Sequence, residues 1–232
     1  CVMKRLLLVA VILAAVAVVV IIAVRALRHD AGDLSVDQRA APTIVVVDPA
    51  HGGSDPGTKG DGVLEKDITL AIASKMSALA SEFAGLRVVL TRNLDADVTA
   101  SSRIAVAARD GAAVYVAIHT NAFDSATAMG VETLVDAGHA SGDAAWSLAA
   151  AVQKATVTPT SAKDRGVRAQ GSALAGLTVP AASIYVGFIT APEERAKLVS
   201  PAYQESLARG ILQGVSDYLA AASAVPGTTV LP

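Results

Sequence analysis

Five short apolar runs recur along the chain, separated by segments whose apolar residues repeat at helical spacing. The first is the most constraining. Ile44 to Val47 are four consecutive β-branched residues with no polar alternation, the pattern of a strand buried on both faces rather than one. The others are Leu86–Leu90, Ala113–Ile118 (AVYVAI), Val131–Val135 and Ala182–Val186. Between them, Ile68, Ile72, Met76, Leu79 and Phe83 fall on one helical stripe with Asp67 placed as its N-cap, and helices are also predicted over Ser101–Arg109, Asp143–Ala155 and Tyr203–Ala221. Alternating strands and helices predict an α/β domain with a twisted, mostly parallel sheet and flanking helices.

Composition narrows the function classes. A net charge of −2 over 232 residues gives no support for a nucleic-acid partner. The P-loop and G-x-G-x-x-G patterns are absent, so nucleotide binding has no motif to rest on. The single cysteine, Cys1, excludes a disulfide within the chain. Aromatics are only 3%, which leaves few platforms for stacking sugars.

Leu6 to Val24 is an uncharged apolar run preceded by Lys4 and Arg5. It is near the length of about 20 residues that spans a bilayer. Arg25 and Arg28 follow it, which argues against a cleavage site there and for an uncleaved transmembrane helix; a cleaved export signal is the alternative. The expected organisation is an anchor or signal segment at 1–28, a linker at 29–42, a catalytic domain at 43–222 outside the cytoplasm, in the cell envelope, and a tail at 223–232.

Two of the four histidines directly follow buried strands: His51 in VVVDPAH and His119 in VYVAIH. Parallel strands bring both imidazoles to one sheet edge. His29 and His139 lie in polar surroundings and are expected to be solvated. Glu65, in GVLEKD, precedes the helix that returns from the first strand and so reaches the same edge. Two histidines and a glutamate form a common catalytic zinc set, although an acid near a helix N-terminus is also favourable for dipole reasons alone.

The segments VVVDPAHGGSDPG, GVLEKDITLAIA, VVLTR, VAIHTNA, GVET, RGV and PAASIYVGF stand in the order found in zinc-dependent N-acetylmuramoyl-L-alanine amidases of the AmiC type, and the chain resembles that family from about Ile44 to its last helix. The resemblance implies a three-layer, phosphorylase/hydrolase-like fold and a single Zn2+ held by His51, Glu65 and His119. It also implies hydrolysis, in peptidoglycan, of the amide joining N-acetylmuramic acid to L-alanine. A partner protein that activates the domain is a further expectation.

The match fails at one functional position. The family's strand near the C-terminus carries a general-base glutamate two residues before its Gly-Phe pair; here SIYVGF puts Tyr185 at that place. A phenol, with a pKa near 10, is a donor at neutral pH rather than a base. Ala191 replaces an asparagine common after this strand, and Ala50 replaces the glycine before the first histidine. Glu132, Glu193 and Glu194 are the other carboxylates close in sequence to this end of the sheet. The expected activity is a weakened amidase; the alternative is a zinc-binding pseudo-amidase that binds peptidoglycan or regulates a partner.

Overall fold

The computed structural model describes residues 41–171 and 174–224, together with positions 16, 18–20, 23 and 25. Two compact units separate at Ala40 and Ala41. In the first, the six described residues are helical and exposed. Most of the expected transmembrane run, with His29, the linker and the tail beyond residue 224, lies outside the described residues. Among the described residues no helix is long and apolar enough to cross a membrane.

The second unit is a mixed α/β domain. Its elements in chain order are β1 (Thr43–Pro49), β2 (Lys59–Gly60), β3 (Val63–Leu64), α1 (Glu65–Leu79), β4 (Leu86–Leu90), α2 (Ala100–Arg109), β5 (Val114–Asn121), β6 (Val131–Asp136), α3 (Ala144–Thr160), β7 (Asp164–Gln170), β8 (Ala181–Phe188), α4 (Pro192–Leu198) and α5 (Pro201–Ser223). Six strands form one sheet in the order β4-β1-β5-β8-β6-β7. All neighbours are parallel except β6 and β8.

The sheet explains the runs. β1, β5 and β8 are central, and Val45, Val46, Val47, Val114, Val116, Ile118, Ala182, Ile184 and Val186 are all fully buried. Alternate side chains go to opposite faces. Val45, Val47, Val116, Ile118 and Ile184 join a core built from α1, α3 and α5, while Val46, Tyr115 and Ala117 pack on Val106 and Ala107 of α2. Each buried valine or isoleucine is worth about 1.5–3 kcal/mol, so the sheet centre is the most strongly specified part of the domain.

Four details depart from the sequence expectation. Asp67 is not the N-cap: α1 begins at Glu65, after Leu64, without a side-chain cap. β7 was not expected, because this edge strand reads DRGVRAQ and is mostly exposed, with no apolar alternation. The two-residue strands β2 and β3 form a hairpin around Asp61 and Gly62, both at positive φ, the Asp-Gly pair that such turns favour. Helix α3 continues past Ala155 through Pro159 to Thr160. That extra turn is packed rather than propensity-driven, since Gly210 and Gly214 of α5 bring the two helix backbones together at Thr156 and Val152.

Candidate metal centre

The C-terminal ends of β1 and β5 lie side by side, because the strands are parallel neighbours from Val45↔Val114 to Pro49↔Ile118. His119 is the third residue from the C-terminal end of β5, and His51 follows β1 by two residues. The β2–β3 hairpin returns the chain to this edge. It packs so closely that a Cβ on Gly60 would meet the Ile189 carbonyl oxygen at 2.1 Å. Glu65 follows immediately at the start of α1, with its amide on the Thr58 carbonyl.

The three expected ligands converge. Glu65 Oε1 lies 3.3 Å from His51 Nε2 and 3.2 Å from His119 Nδ1, and one donor atom from each residue falls within 4.8 Å of the others. Tetrahedral bonds of about 2.0–2.2 Å separate neighbouring ligand atoms by about 3.3–3.6 Å, so this spacing suits a single small cation. The donor set, two imidazoles and a carboxylate, is one that zinc favours. The space also depends on the absence of a side chain at Gly57. That residue has φ +66°, and a Cβ there would sit 2.6 Å from His51 Cδ2 and 2.8 Å from Glu65 Oε2.

Hydrogen bonds from outside the set fix two of the three ligands, His51 and Glu65. Asp55 Oδ2 contacts His51 Nδ1 at 2.8 Å, which turns Nε2 toward Glu65, the usual role of a carboxylate behind a ligating imidazole. The Thr120 and Thr58 amides donate to Glu65 Oε1 and Oε2, each at 2.8 Å. Burial pushes the Glu65 carboxyl up, but its hydrogen bonds with His119, His51 and the Thr58 amide outweigh that and hold it well below the usual carboxylate range. His51 is pushed up to about 9 by its hydrogen bond to Glu65, against burial and with further help from Asp55.

Two arginines, Arg92 buried and Arg103 partly buried, hold the loop that carries His51. Arg92 donates to the Pro49, Ala50 and Lys66 carbonyls, at 2.9, 3.0 and 2.9 Å. Arg103 donates to Asp48, to the Pro49 carbonyl at 2.9 Å and to the His51 carbonyl at 2.7 Å. The last bond matters because His51 has φ +62°, a left-handed conformation uncommon for a residue with a side chain. Ala50 is not among the positive-φ residues and is 4% exposed, so the loop needs no glycine there. The sequence reading missed Asp55, Arg92 and Arg103. Asp55 was the discoverable one, four residues after a strand-end histidine; Arg92 closes the VVLTR segment, but nothing local shows that it reaches the ligand loop, and Arg103 has no local signal.

Tyr185 of β8 is the registered neighbour of His119. Their rings stack, with centroids 5.0 Å apart and planes inclined by 15°. Burial, and then the Glu65 charge, push the phenol above its ordinary pKa. Glu132 of β6 is the partner of Tyr185 on the other side, and its carboxylate accepts from Asn121 and Arg168. Glu194 points elsewhere: it is buried, accepts from the Gly130 amide at 3.0 Å and faces Gly187. Glu193 is exposed in the first turn of α4. Ala191 is the N-cap of α4 and makes no side-chain cap bond, a bond that an asparagine could supply. His139 lies in a loop beside Asp143, as an exposed pair.

Comparison with known proteins identifies the family and the fold. The family model described as N-acetylmuramoyl-L-alanine amidase matches residues 45–217. The uncharacterized protein YqiI of Bacillus subtilis is 33% identical, over 75% of this chain and 84% of its own length. The amidase LytC of the same organism is 29% identical, over 75% of this chain but 35% of its own length. Among solved structures, an N-acetylmuramoyl-L-alanine amidase from Clostridium difficile 630 superposes with a TM-score of 0.74 at 34% identity, over 78% of this chain and 98% of that one. The CwlD amidase from Clostridioides difficile, solved in complex with the GerS lipoprotein, gives 0.71 at 26%, over 77% and 99%. The chain belongs to the N-acetylmuramoyl-L-alanine amidase family.

Proposed function

We propose that the chain hydrolyses the amide between N-acetylmuramic acid and L-alanine in peptidoglycan, using one zinc ion held by His51, Glu65 and His119, and that Tyr185 makes it slow. The observation that carries this reading is the approach of Glu65 Oε1 to both imidazoles, at 3.3 and 3.2 Å, in a buried, hydrogen-bonded frame. When bound, zinc supplies Lewis acidity to a water and to the scissile carbonyl.

The chain's own residues do the rest. Asp55 orients His51, and the Thr58 and Thr120 amides keep the Glu65 carboxylate ionised and in place. The Tyr185 phenol stays protonated at neutral pH. It is suited to donate a hydrogen bond to the carbonyl oxygen as negative charge develops there, but not to accept a proton from the attacking water. Loss of a positioned general base costs about 10²–10⁴-fold. The stacking of Tyr185 on His119 also favours a second reading, a zinc-binding pseudo-amidase that recognises peptidoglycan or regulates a partner.

The domain is read as a phosphorylase/hydrolase-like fold held outside the cytoplasm, with Leu6 to Val24 as its membrane anchor. An activating partner is part of the proposal, by analogy with the relative solved together with a lipoprotein. Fractionation with an epitope at the C-terminus tests the anchor: full-length protein in membranes is expected, and a shorter soluble form outside the cell contradicts it. The function is tested by incubating the purified protein with sacculi and zinc and analysing the products. Slow, chelator-sensitive release of free stem peptide is expected. Retention on sacculi without release would favour the second reading.

A further inference from the structure

Beside the metal centre two guanidinium groups share one carboxylate. Arg165 and Arg168 of β7 both reach Glu132. Residues three apart on a regular strand point to opposite faces; here the pairing of β6 with β7 shifts register between Val131 and Thr133, with Gly166 at φ +78°. The irregularity re-aims Arg165, as bulges do near active sites. Arg168 and Asn121 take up the Glu132 oxygens. Arg165 is left poorly satisfied: among the described residues its buried Nε has no hydrogen-bond acceptor, lying 3.5 Å from Glu132, and its Nη1 reaches the Met129 carbonyl only at 3.5 Å.

The Arg165 guanidinium lies 4.9 Å over the Phe188 ring and lines a cleft of about 170 Å³ with Phe123, Ser125, Thr127 and Ala128. Phe123 is 63% exposed, yet its backbone is fixed by two hydrogen bonds with Thr190 Oγ1, at 3.0 and 2.8 Å. The cleft adjoins the metal centre. Phe188 is the registered partner of Asn121, two residues after His119, and Glu132 is that of Tyr185. A preformed cleft with an underused guanidinium, an aromatic edge and surplus positive charge suits a planar anion on a partly apolar chain.

The geometry points to a carboxylate-binding subsite at Arg165, which takes a carboxylate of the stem peptide beside the scissile amide. This rests on the proposed substrate class. It assigns Arg165 and Phe123 to substrate recognition rather than to the reaction itself.

The test is calorimetric titration of the zinc-loaded full chain with N-acetylmuramoyl-L-alanyl-D-glutamate and with the same compound carrying carboxamides in place of its carboxylates. The wild type is expected to bind the acid about tenfold more tightly, the scale of a charge-assisted hydrogen bond at a partly exposed site. Arg165→Met should abolish that preference, and Arg165→Lys should retain part of it. Phe123→Ala, at an exposed position, should weaken both ligands equally. Equal binding of the two forms by the wild type, a preference that survives in Arg165→Met, or no binding of either form would overturn the subsite. Absence of released stem peptide, with the carboxylate preference intact, would count against the amidase reading and not against the subsite.

Discussion

Tyr185 stacks face to face on His119, with ring centroids 5.0 Å apart and planes inclined by 15°. The two residues are registered partners on parallel strands, so whatever stands at position 185 is delivered to the face of a proposed metal ligand. In this chain that residue is a phenol whose pKa is raised by burial and by the Glu65 charge. On the proposed reading, His51, Glu65 and His119 complete the donor frame, while the side chain that would take a proton from water is replaced by one that keeps its own.

Purified protein should carry one zinc per chain. Glu65 sits between the two imidazoles, and a closed three-ligand set needs all its members. Elemental analysis of His119→Ala should show most of the metal gone. Full occupancy in that variant would remove His119 from the site.

Zinc uptake should release a proton near neutral pH. In the metal-free protein His51 is pushed up to about 9 by its hydrogen bond to Glu65, against burial and with support from Asp55, and a ligating imidazole must be neutral. The folded pKa lies above the ordinary imidazole value of 6.5. The stability that protonated His51 contributes is therefore full below about 6.5 and lost as pH rises through about 9. Zinc affinity of the folded protein should rise with pH up to about 9 and then level off. Titration at pH 7 in buffers of different ionisation enthalpy should count about one proton per zinc; a count of zero would mean His51 is already neutral.

Arg103→Met should weaken zinc binding. Arg103 donates to the carbonyl of His51, which sits at φ +62°, and also pairs with buried Asp48. Removal frees the ligand loop and takes the ion-pair partner from buried Asp48, which keeps the Thr91 hydroxyl as a donor. Zinc affinity should fall about 10–100-fold, the range for groups supporting a ligand, with stability down by about 1–3 kcal/mol. A variant that loses stability but binds zinc normally would confine Arg103 to the fold.

Gly214→Ala should destabilise the domain even though alanine is the better helix former, by about 1 kcal/mol. A Cβ at position 214 would lie 2.5 Å from Val152 Cα and 2.7 Å from the Ala151 oxygen, so α3 and α5 must separate. Overpacking of this kind costs about 1–3 kcal/mol, a drop of about 2–10 °C in Tm for a domain of this size. A rise in Tm would contradict the close approach.

The sequence was most legible where burial is symmetric. Ile44–Val47 and Ala113–Ile118 lie in central strands covered on both faces, and an unbroken apolar run has few other uses in an α/β chain. His51 and His119 could be placed together because each follows such a run, and parallel pairing does the rest. β7 was illegible for the opposite reason: it is an edge strand whose DRGVRAQ residues face solvent and Glu132, so no apolar period marks it. The start of α1 was misplaced because Asp67 has the chemistry of a cap, whereas the helix is started by the Thr58–Glu65 contacts of the ligand loop. Arg92, Arg103 and Arg165 act across long stretches of chain, where spacing carries no information.

The most direct measurement is release of free stem peptide from a soluble muropeptide by wild type and Tyr185→Glu at matched zinc occupancy. Glutamate at this position would be ionised at neutral pH, of similar reach, and beside His119 in the same register. Hydrolysis should rise by about 10²-fold or more, the contribution of a positioned general base. A wild type that is already fast and is slowed by the substitution would contradict Tyr185 as the lesion. Inactivity of both proteins would contradict the amidase reading itself.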